Sequence, residues 1–231
     1  MALDSVSITS KIEEIENKVR SAPLIMPHVS DYHYAYWSQV VPLISLEGLW
    51  CEFGVYRGRS IQRIAKLSNH TIYGFDSFEG LPEDWDLDNP KGCYGSGGAI
   101  PLGAIVGNNH NMFDSSPTAN IEPWHHTICL IKGYFQDTLP TFVAQHKEVS
   151  AFLHIDSDLY SSCNTILFNF RDKIVDGTII CFDDFMDFPS YRDGEIKSFA
   201  EFLLANDLNY EPLIYHGVGA HYTQACLRII K

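Results

Sequence analysis

The chain has 231 residues, 45% of them hydrophobic and 19% charged, a balance that belongs to a folded globular protein and excludes a disordered tail, a collagen-like repeat or a coiled-coil rod. At roughly 150 residues per domain, that length is one domain with additional segments. Sixteen basic against twenty-nine acidic residues leave a net charge of −13, a field that repels polyanions, so nucleic acid is not the expected partner.

The opening residues Met1-Ala2-Leu3-Asp4 carry neither the basic start nor the apolar core of a secretory signal, and a cytoplasmic location is expected. An amphipathic helix follows: Ile8, Ile12, Ile15 and Val19 recur at intervals of four, three and four, with Glu13, Glu14, Glu16 and Lys18 between them. Ser10 with Glu13 suggests a capping box, and Ala22-Pro23 closes the segment. This helix either docks on its own domain or supplies a contact in a homo-oligomer. Residues 1–47, which also carry the aromatic cluster Tyr32-His33-Tyr34-Ala35-Tyr36-Trp37, form an N-terminal helical segment ahead of a main domain at 48–231.

From residue 49 the pattern changes to short apolar runs, each ending in glycine or acid and each followed by a helical period, which is how a parallel sheet with crossover helices reads. Strands are expected at 49–53, 71–75, 127–131, 151–155 and 177–182, with helices at 60–67, 140–146, 161–170 and 196–204. Two final strands, 210–215 and 223–230, joined through Gly217-Val218-Gly219, make the last one antiparallel. The fold class is therefore α/β, a doubly wound, Rossmann-like, seven-stranded and mostly parallel sheet that binds ligands outside the carboxyl ends of its strands. Between the second and third strands lies a long insert, 83–126. Its uncharged part, 92–113, could span a bilayer by length, but glycines, Pro101 and Asn108-Asn109-His110-Asn111 make it a loop, and no membrane partner is expected. The insert carries Trp85, Tyr94, Trp124 and a Gly95-Ser96-Gly97-Gly98 run, and its length suits a lid over an acceptor. The six cysteines form no C-x-x-C pair and read as reduced thiols, most of them buried.

The residues just after each strand carry the chemistry. Glu52-Phe53-Gly54-Val55-Tyr56-Arg57-Gly58 puts two glycines four apart at a strand-to-helix turn, where backbone can approach a ligand closely. About twenty residues on, Asp76 ends the second strand, where an acid can accept both ribose hydroxyls of a nucleoside. The dinucleotide fingerprint G-x-G-x-x-G is not met, which argues against a nicotinamide oxidoreductase. Asp156 and Asp158 follow the fourth strand, and Asp183 and Asp184 follow the fifth. One crossover helix between them puts all four on one rim, where their mutual repulsion calls for a hard divalent cation, magnesium or manganese, or for protonation. No Cys or His cluster accompanies them, so zinc is not indicated. Read from the residues alone, the same acids also serve as helix caps.

Five segments in order give the chain a family likeness: Glu52 to Gly58, Phe75-Asp76-Ser77-Phe78-Glu79-Gly80-Leu81-Pro82, Ile131-Lys132-Gly133-Tyr134-Phe135-Gln136-Asp137-Thr138-Leu139-Pro140, His154-Ile155-Asp156-Ser157-Asp158-Leu159-Tyr160, and Phe182-Asp183-Asp184-Phe185. Over about 48–205 these resemble the macrocin O-methyltransferase family, which consists of class I, S-adenosylmethionine- and metal-dependent enzymes that methylate sugar hydroxyls of natural products. The resemblance implies that Glu52, Gly54, Tyr56 and Gly58 hold the methionine end of S-adenosylmethionine, with Asp156 alongside. It gives Asp76 and Ser77 the ribose, and Gly133, Phe135 and Gln136 the adenine. Read from sequence alone, Gln136 is a polar helix start. The same resemblance makes Asp156, Asp183 and Asp184 the ligands of Mg2+ or Mn2+, and Asp158 the base that takes the acceptor proton. Asp158 could instead bind the metal or cap the next helix. His125 and His126 remain open as a second base, and His154, within an apolar strand, reads as a core histidine. The implied partner is a small glycosylated or polyol acceptor. Asp156-Ser157-Asp158 also matches the D-x-D of nucleotide-sugar glycosyltransferases, which would leave Glu52, Gly54 and Asp76 unexplained. A non-catalytic cofactor-binding scaffold is the third reading.

Overall fold

The computed structural model describes residues 4–25, 32–101, 128–218 and 222–231. Eight strands form one sheet: β1 (Leu24–Ile25), β2 (Leu49–Phe53), β3 (Ile72–Asp76), β4 (Ile128–Lys132), β5 (Ser150–Ile155), β6 (Ile179–Met186), β7 (Asn209–Val218) and β8 (Tyr222–Ile230). Their order is β1-β7-β8-β6-β5-β2-β3-β4. All seven expected strands are present, and the two-residue β1 adds an edge, parallel to β7. The β8 strand runs antiparallel to both β6 and β7 and the other pairs are parallel, as the terminal hairpin predicted.

Among the described residues six α-helices flank the sheet: α1 (Ser5–Ser21), α2 (Tyr32–Val40), α3 (Arg59–Leu67), α4 (Phe135–Gln145), α5 (Tyr160–Asn169) and α6 (Glu195–Asn206). They cover both faces, because strands buried on both sides are apolar along their whole length. Every residue of β2 and of β5 is buried. On one face Phe53, Phe75, Leu153 and Phe182 meet Ile166 of α5, Phe199 of α6 and the Ile12, Ile15 and Val19 stripe of α1. On the other, Trp50, Phe152 and Cys181 meet Trp37 of α2 and Ile61, Ile64 and Ala65 of α3, which lie three and four residues apart on one helical face. Each isoleucine so buried contributes about 1.5–3 kcal/mol relative to exposure.

The α1 helix begins earlier than its sequence suggested. Asp4, not Ser10, is the N-cap: its carboxylate accepts from the Ser7 backbone N–H at 2.9 Å, leaving Ser10 inside the helix, so the capping box is not formed. Ala22 closes the helix as expected, donating its N–H to the Val19 carbonyl. The apolar stripe is spent inside the domain, where α1 packs on α6 and β7. Charges fasten its rim, with Arg192 donating to Glu16 at 2.7 Å and Arg20 to Asp187 at 2.6 Å. Helices α1 and α2 therefore share the core of the main domain.

Strand order fixes where a ligand can sit. Passing from β2 the chain moves outward through β3 and β4, then returns to lay β5 on the other side of β2 and continues to β6. The reversal opens a crevice at the carboxyl ends of β2 and β5, the switch point of a doubly wound sheet. Backbone at that point is tightly joined: Gly54 donates to the Phe75 carbonyl and Asp156 to the Phe53 carbonyl, both at 2.9 Å. Gly54 has φ 92°, and a Cβ there would lie 1.7 Å from the Asp156 carbonyl oxygen, so only glycine lets the two strand ends meet.

Candidate active site

A cavity of about 410 Å³ fills that crevice. Its walls are the post-strand residues in sequence: Gly54 and Tyr56 after β2, Asp76 and Ser77 after β3, Gly133, Phe135 and Gln136 after β4, Asp156 and Asp158 after β5, and Asp183 and Asp184 from β6. Most of the residues expected to bind the cofactor or metal thus border one space.

Two do not. Glu52 is fully buried, its carboxylate accepting from the Ser60 hydroxyl at 2.9 Å and meeting His154 Nδ1 at 3.1 Å. It lies beneath the cavity, because alternation along β2 aims it into the sheet packing while the turn residues face the opening. Gly58 is also outside the lining; it is the N-cap of α3 at φ 73°, where the chain needs a left-handed residue to enter the helix. Neither residue borders the cavity; both stand in support of the turn that does.

Asp76 lines the cavity with its carboxylate already engaged. One oxygen accepts from the Val55 and Tyr56 N–H groups at 2.8 and 2.6 Å, and the other from Phe78 N–H at 2.6 Å. It shapes the glycine turn, and its Oδ1 keeps acceptor capacity toward the cavity. Gln136 stands on the first turn of α4, which starts at Phe135, earlier than expected. Pro140 lies inside that helix and has no N–H to give to the carbonyl four residues back, that of Gln136 at the cavity end.

The acids gather as expected, although β6 runs through Asp183 and Asp184 to Met186 instead of stopping at Phe182. Pairing with β5 does end at Phe182, while β8 carries the strand onward through an irregular stretch before Met186 meets Thr223. The two acids therefore stand beyond the end of β5, facing Asp156 and Asp158. Potential ligand atoms of Asp156, Asp158 and Asp184 lie within 4.8 Å of one another, and so do those of His154, Asp156 and Asp183. Asp156 is common to both groups. Enclosure and the neighbouring Asp183 push the Asp156 carboxyl well above the usual carboxylate range. Burial lifts Asp158 to about 6, against the opposing hydrogen bond with Asp184, and burial with the Asp158 and Asp183 charges raises Asp184. Among the described lining residues there is no Lys or Arg to neutralise them. A hard cation with oxygen ligands fits this donor set.

His154 is a core histidine tied to its neighbours. Burial disfavours its charge, but Asp183 and Glu52 outweigh that and push it up to about 10. With Glu52 on β2, His154 on β5, Asp183 on β6 and Gln224 on β8, a polar row crosses four strands under the cavity floor, and the Gln224 amide donates to Asp183. Gln224 lines the cavity and was not singled out from sequence; its signal was a polar residue inside the buried run of β8. Tyr134, Leu81 and Ser162 also border the space. In the insert, Trp85 and Tyr94 line the cavity, Trp85 against Phe188 and Tyr94 against Tyr56. Trp124, His125 and His126 lie outside the described residues.

The family model of macrocin O-methyltransferase (TylF) matches residues 39–210. The chain belongs to the macrocin O-methyltransferase family. The match begins ahead of β2 and ends in β7, so it spans every strand end that borders the cavity except Gln224. A demethyldecarbamoylnovobiocin O-methyltransferase of Streptomyces niveus is 29% identical over 168 residues, covering 68% of this chain; the chain spans 60% of that relative's length. Among solved structures, the calicheamicin methyltransferase CalS11 aligns over 98% of this chain and 94% of its own at 19% identity, with a TM-score of 0.63. An O-methyltransferase from Bacillus cereus in complex with S-adenosylhomocysteine aligns over 100% and 93% at 16% identity, with a TM-score of 0.56. Both share with this member of the macrocin family the doubly wound fold.

Proposed function

We propose that the chain transfers the methyl group of S-adenosylmethionine to a hydroxyl of a sugar carried by a natural product or glycan, with a divalent cation at the acid cluster. The observation that carries this reading is the union, in one cavity, of the Gly54 turn and Asp76 with the Asp156, Asp158, Asp183 and Asp184 carboxylates. Family membership supports the activity, the named relative is an O-methyltransferase, and the Bacillus cereus neighbour holds the demethylated cofactor.

In this reading Gly54 and Tyr56 receive the methionine end, Asp76 and Ser77 the ribose, and Gly133, Phe135 and Gln136 the adenine side. Asp156, Asp183 and Asp184 would hold Mg2+ or Mn2+, Asp156 belonging both to a group of close donors with His154 and Asp183 and to one with Asp158 and Asp184. Such a cation, when bound, lowers the pKa of a nearby hydroxyl and fixes its oxygen. Asp158, with a pKa of about 6, is largely ionised at neutral pH and accepts the proton that the acceptor oxygen releases. The protein then needs only to hold that oxygen in line with the sulfonium methyl carbon, which is positioning work for the cavity walls. Trp85 and Tyr94 present aromatic faces for a sugar ring. The Gly54 turn and Asp76 in the same cavity, which the D-x-D glycosyltransferase reading leaves unexplained, favour methyl transfer over it. Such a chain works as a cytoplasmic biosynthetic enzyme.

Calorimetric titration with S-adenosylhomocysteine, followed by a methyl-transfer screen over glycosylated acceptors with and without chelator, tests the proposal. Micromolar binding and chelator-sensitive transfer are expected. Failure to bind the nucleoside overturns it.

A further inference from the structure

Behind the cavity wall, at the first residue of α6, Glu195 is wholly buried. One of its oxygens accepts from both the backbone N–H and the hydroxyl of Ser157, at 3.2 and 3.1 Å. The other, Oε2, is buried and has no hydrogen-bond partner among the described residues. Ser157 is the middle residue of Asp156-Ser157-Asp158, and the corner it makes is tight: Leu159 N–H donates to the Ser157 carbonyl at 2.6 Å, and Asp158 has φ 61°, in the left-handed region. Burying a carboxyl completely, within the field of neighbouring acids, is costly, and a fold that needed an acid only to start a helix would leave it exposed on the first turn. Gly194 before it supplies no side-chain cap, and Glu195 itself turns inward to the Ser157 corner.

We infer that Glu195 is a positioning residue that clamps Ser157 from behind and thereby holds the Asp156 and Asp158 carboxylates facing the cavity, an inference that rests on the functional reading above. Asp158 depends on this most. A left-handed residue without a glycine's freedom relaxes unless its neighbours hold it, and Glu195 accepts from both the backbone N–H and the hydroxyl of the preceding Ser157. Supports of this kind orient the groups that bind a cation or move a proton, and their loss is felt in affinity as well as in turnover.

The test compares Glu195→Gln, Glu195→Ala and Ser157→Ala with the wild type, reading Mn2+ affinity by calorimetry, kcat and KM for S-adenosylmethionine, and Tm. Glutamine keeps an acceptor oxygen for Ser157, so Glu195→Gln should stay within about threefold of wild type in Mn2+ affinity and kcat. Alanine removes the acceptor, and Glu195→Ala should lose about 10–100-fold in both, with KM for the cofactor nearly unchanged. A role in folding alone would lower Tm while leaving Mn2+ affinity and kcat intact below the melting range, and that result overturns the inference. Should Glu195→Ala fail to fold, Ser157→Ala decides: it keeps the backbone bond and loses the hydroxyl one, and must weaken Mn2+ binding by about two- to fivefold. No change there is equally fatal. Wild-type protein that binds neither Mn2+ nor S-adenosylhomocysteine would instead refute the functional reading itself.

Discussion

Acidic side chains serve this molecule in two contrasting ways. Around α1 three of them have a cation: Glu14 lies between Lys11 and Lys18, Glu16 receives Arg192, and Asp187 receives Arg20. At the strand ends Asp156, Asp158 and Asp184 face one another, with His154 and Asp183 beside Asp156. The first group is neutralised within the chain, and its charge is used up in docking a helix. The second is enclosed and raised in pKa by burial and by itself, and His154 offsets only part of its charge, which leaves room for protons or a cation to balance the rest. Acids that the chain has paired hold structure together, and acids that it leaves facing a cavity are poised for a ligand.

The largest effect should come from breaking the second group. Asp183→Asn keeps shape and hydrogen bonding to Gln224 but removes a charge, and all measurable methyl transfer should be lost while S-adenosylhomocysteine affinity, measured by calorimetry, stays within a few fold. Turnover like that of the wild type would refute the ligand assignment. Asp158→Asn should come next, lowering kcat by roughly 10²–10⁴-fold with cofactor binding retained, as befits a group that moves a proton.

Of the fold, the apolar runs made the sheet legible, because a strand buried on both faces has no alternative composition. What stayed hidden has physical causes. The β1 strand is two residues long and makes no pattern. Ser10 and Glu13 have capping-box spacing, but Asp4 reaches the first turn sooner. Glu52 looks like a cofactor acid in one dimension; only pairing of β2 with β5, which sets it opposite His154, reveals its use as a support. Gln224 and Glu195 come from the last strand and the last helix, far in sequence from the corners they brace, and no local spacing announces them. The D-x-D and D-D pairs were visible because each acid follows an apolar run, where a charge has no packing reason to be.

A third expectation concerns acidity. Asp158 has a folded-state pKa near 6, above the ordinary 3.8, and Asp156 and Asp184 are shifted the same way. A raised folded pKa means that the protonated native state is the favoured one, so the contribution is fully present below about pH 4 and is lost as pH rises through 6. Chelator-treated protein should therefore melt at a lower temperature at pH 7 than at pH 5, by an amount worth about 1–3 kcal/mol for Asp158 and its neighbours together. Added Mg2+ or Mn2+ should restore Tm at pH 7 far more than at pH 5. A Tm that rises with pH over this interval in metal-free protein would mean that the four acids are not mutually repelling.

The smallest effect tests the other half of the comparison. Arg20 joins α1 to Asp187, the residue immediately after β6, and Asp187 also accepts from the Thr223 hydroxyl beside Gln224. Desolvation of Asp187 is outweighed by the Arg20 and Thr223 hydrogen bonds, so its carboxyl is held below the usual value. The pair then contributes stability above the unfolded pKa that fades only in strong acid. Both partners are substantially exposed, with side-chain accessibilities of 49% and 33%, which limits the pair to about 0.2–1 kcal/mol and makes it sensitive to salt. Arg20→Ala should lower Tm by a few degrees at most, the difference shrinking in high salt, and should leave cofactor affinity and turnover unchanged. A loss of turnover well beyond that small cost in stability would mean that the ion pair on α1 reaches through Asp187 and Thr223 to Gln224 and Asp183. The two sets of acids would then be one connected system, with the docking helix acting on the chemistry it was thought only to support.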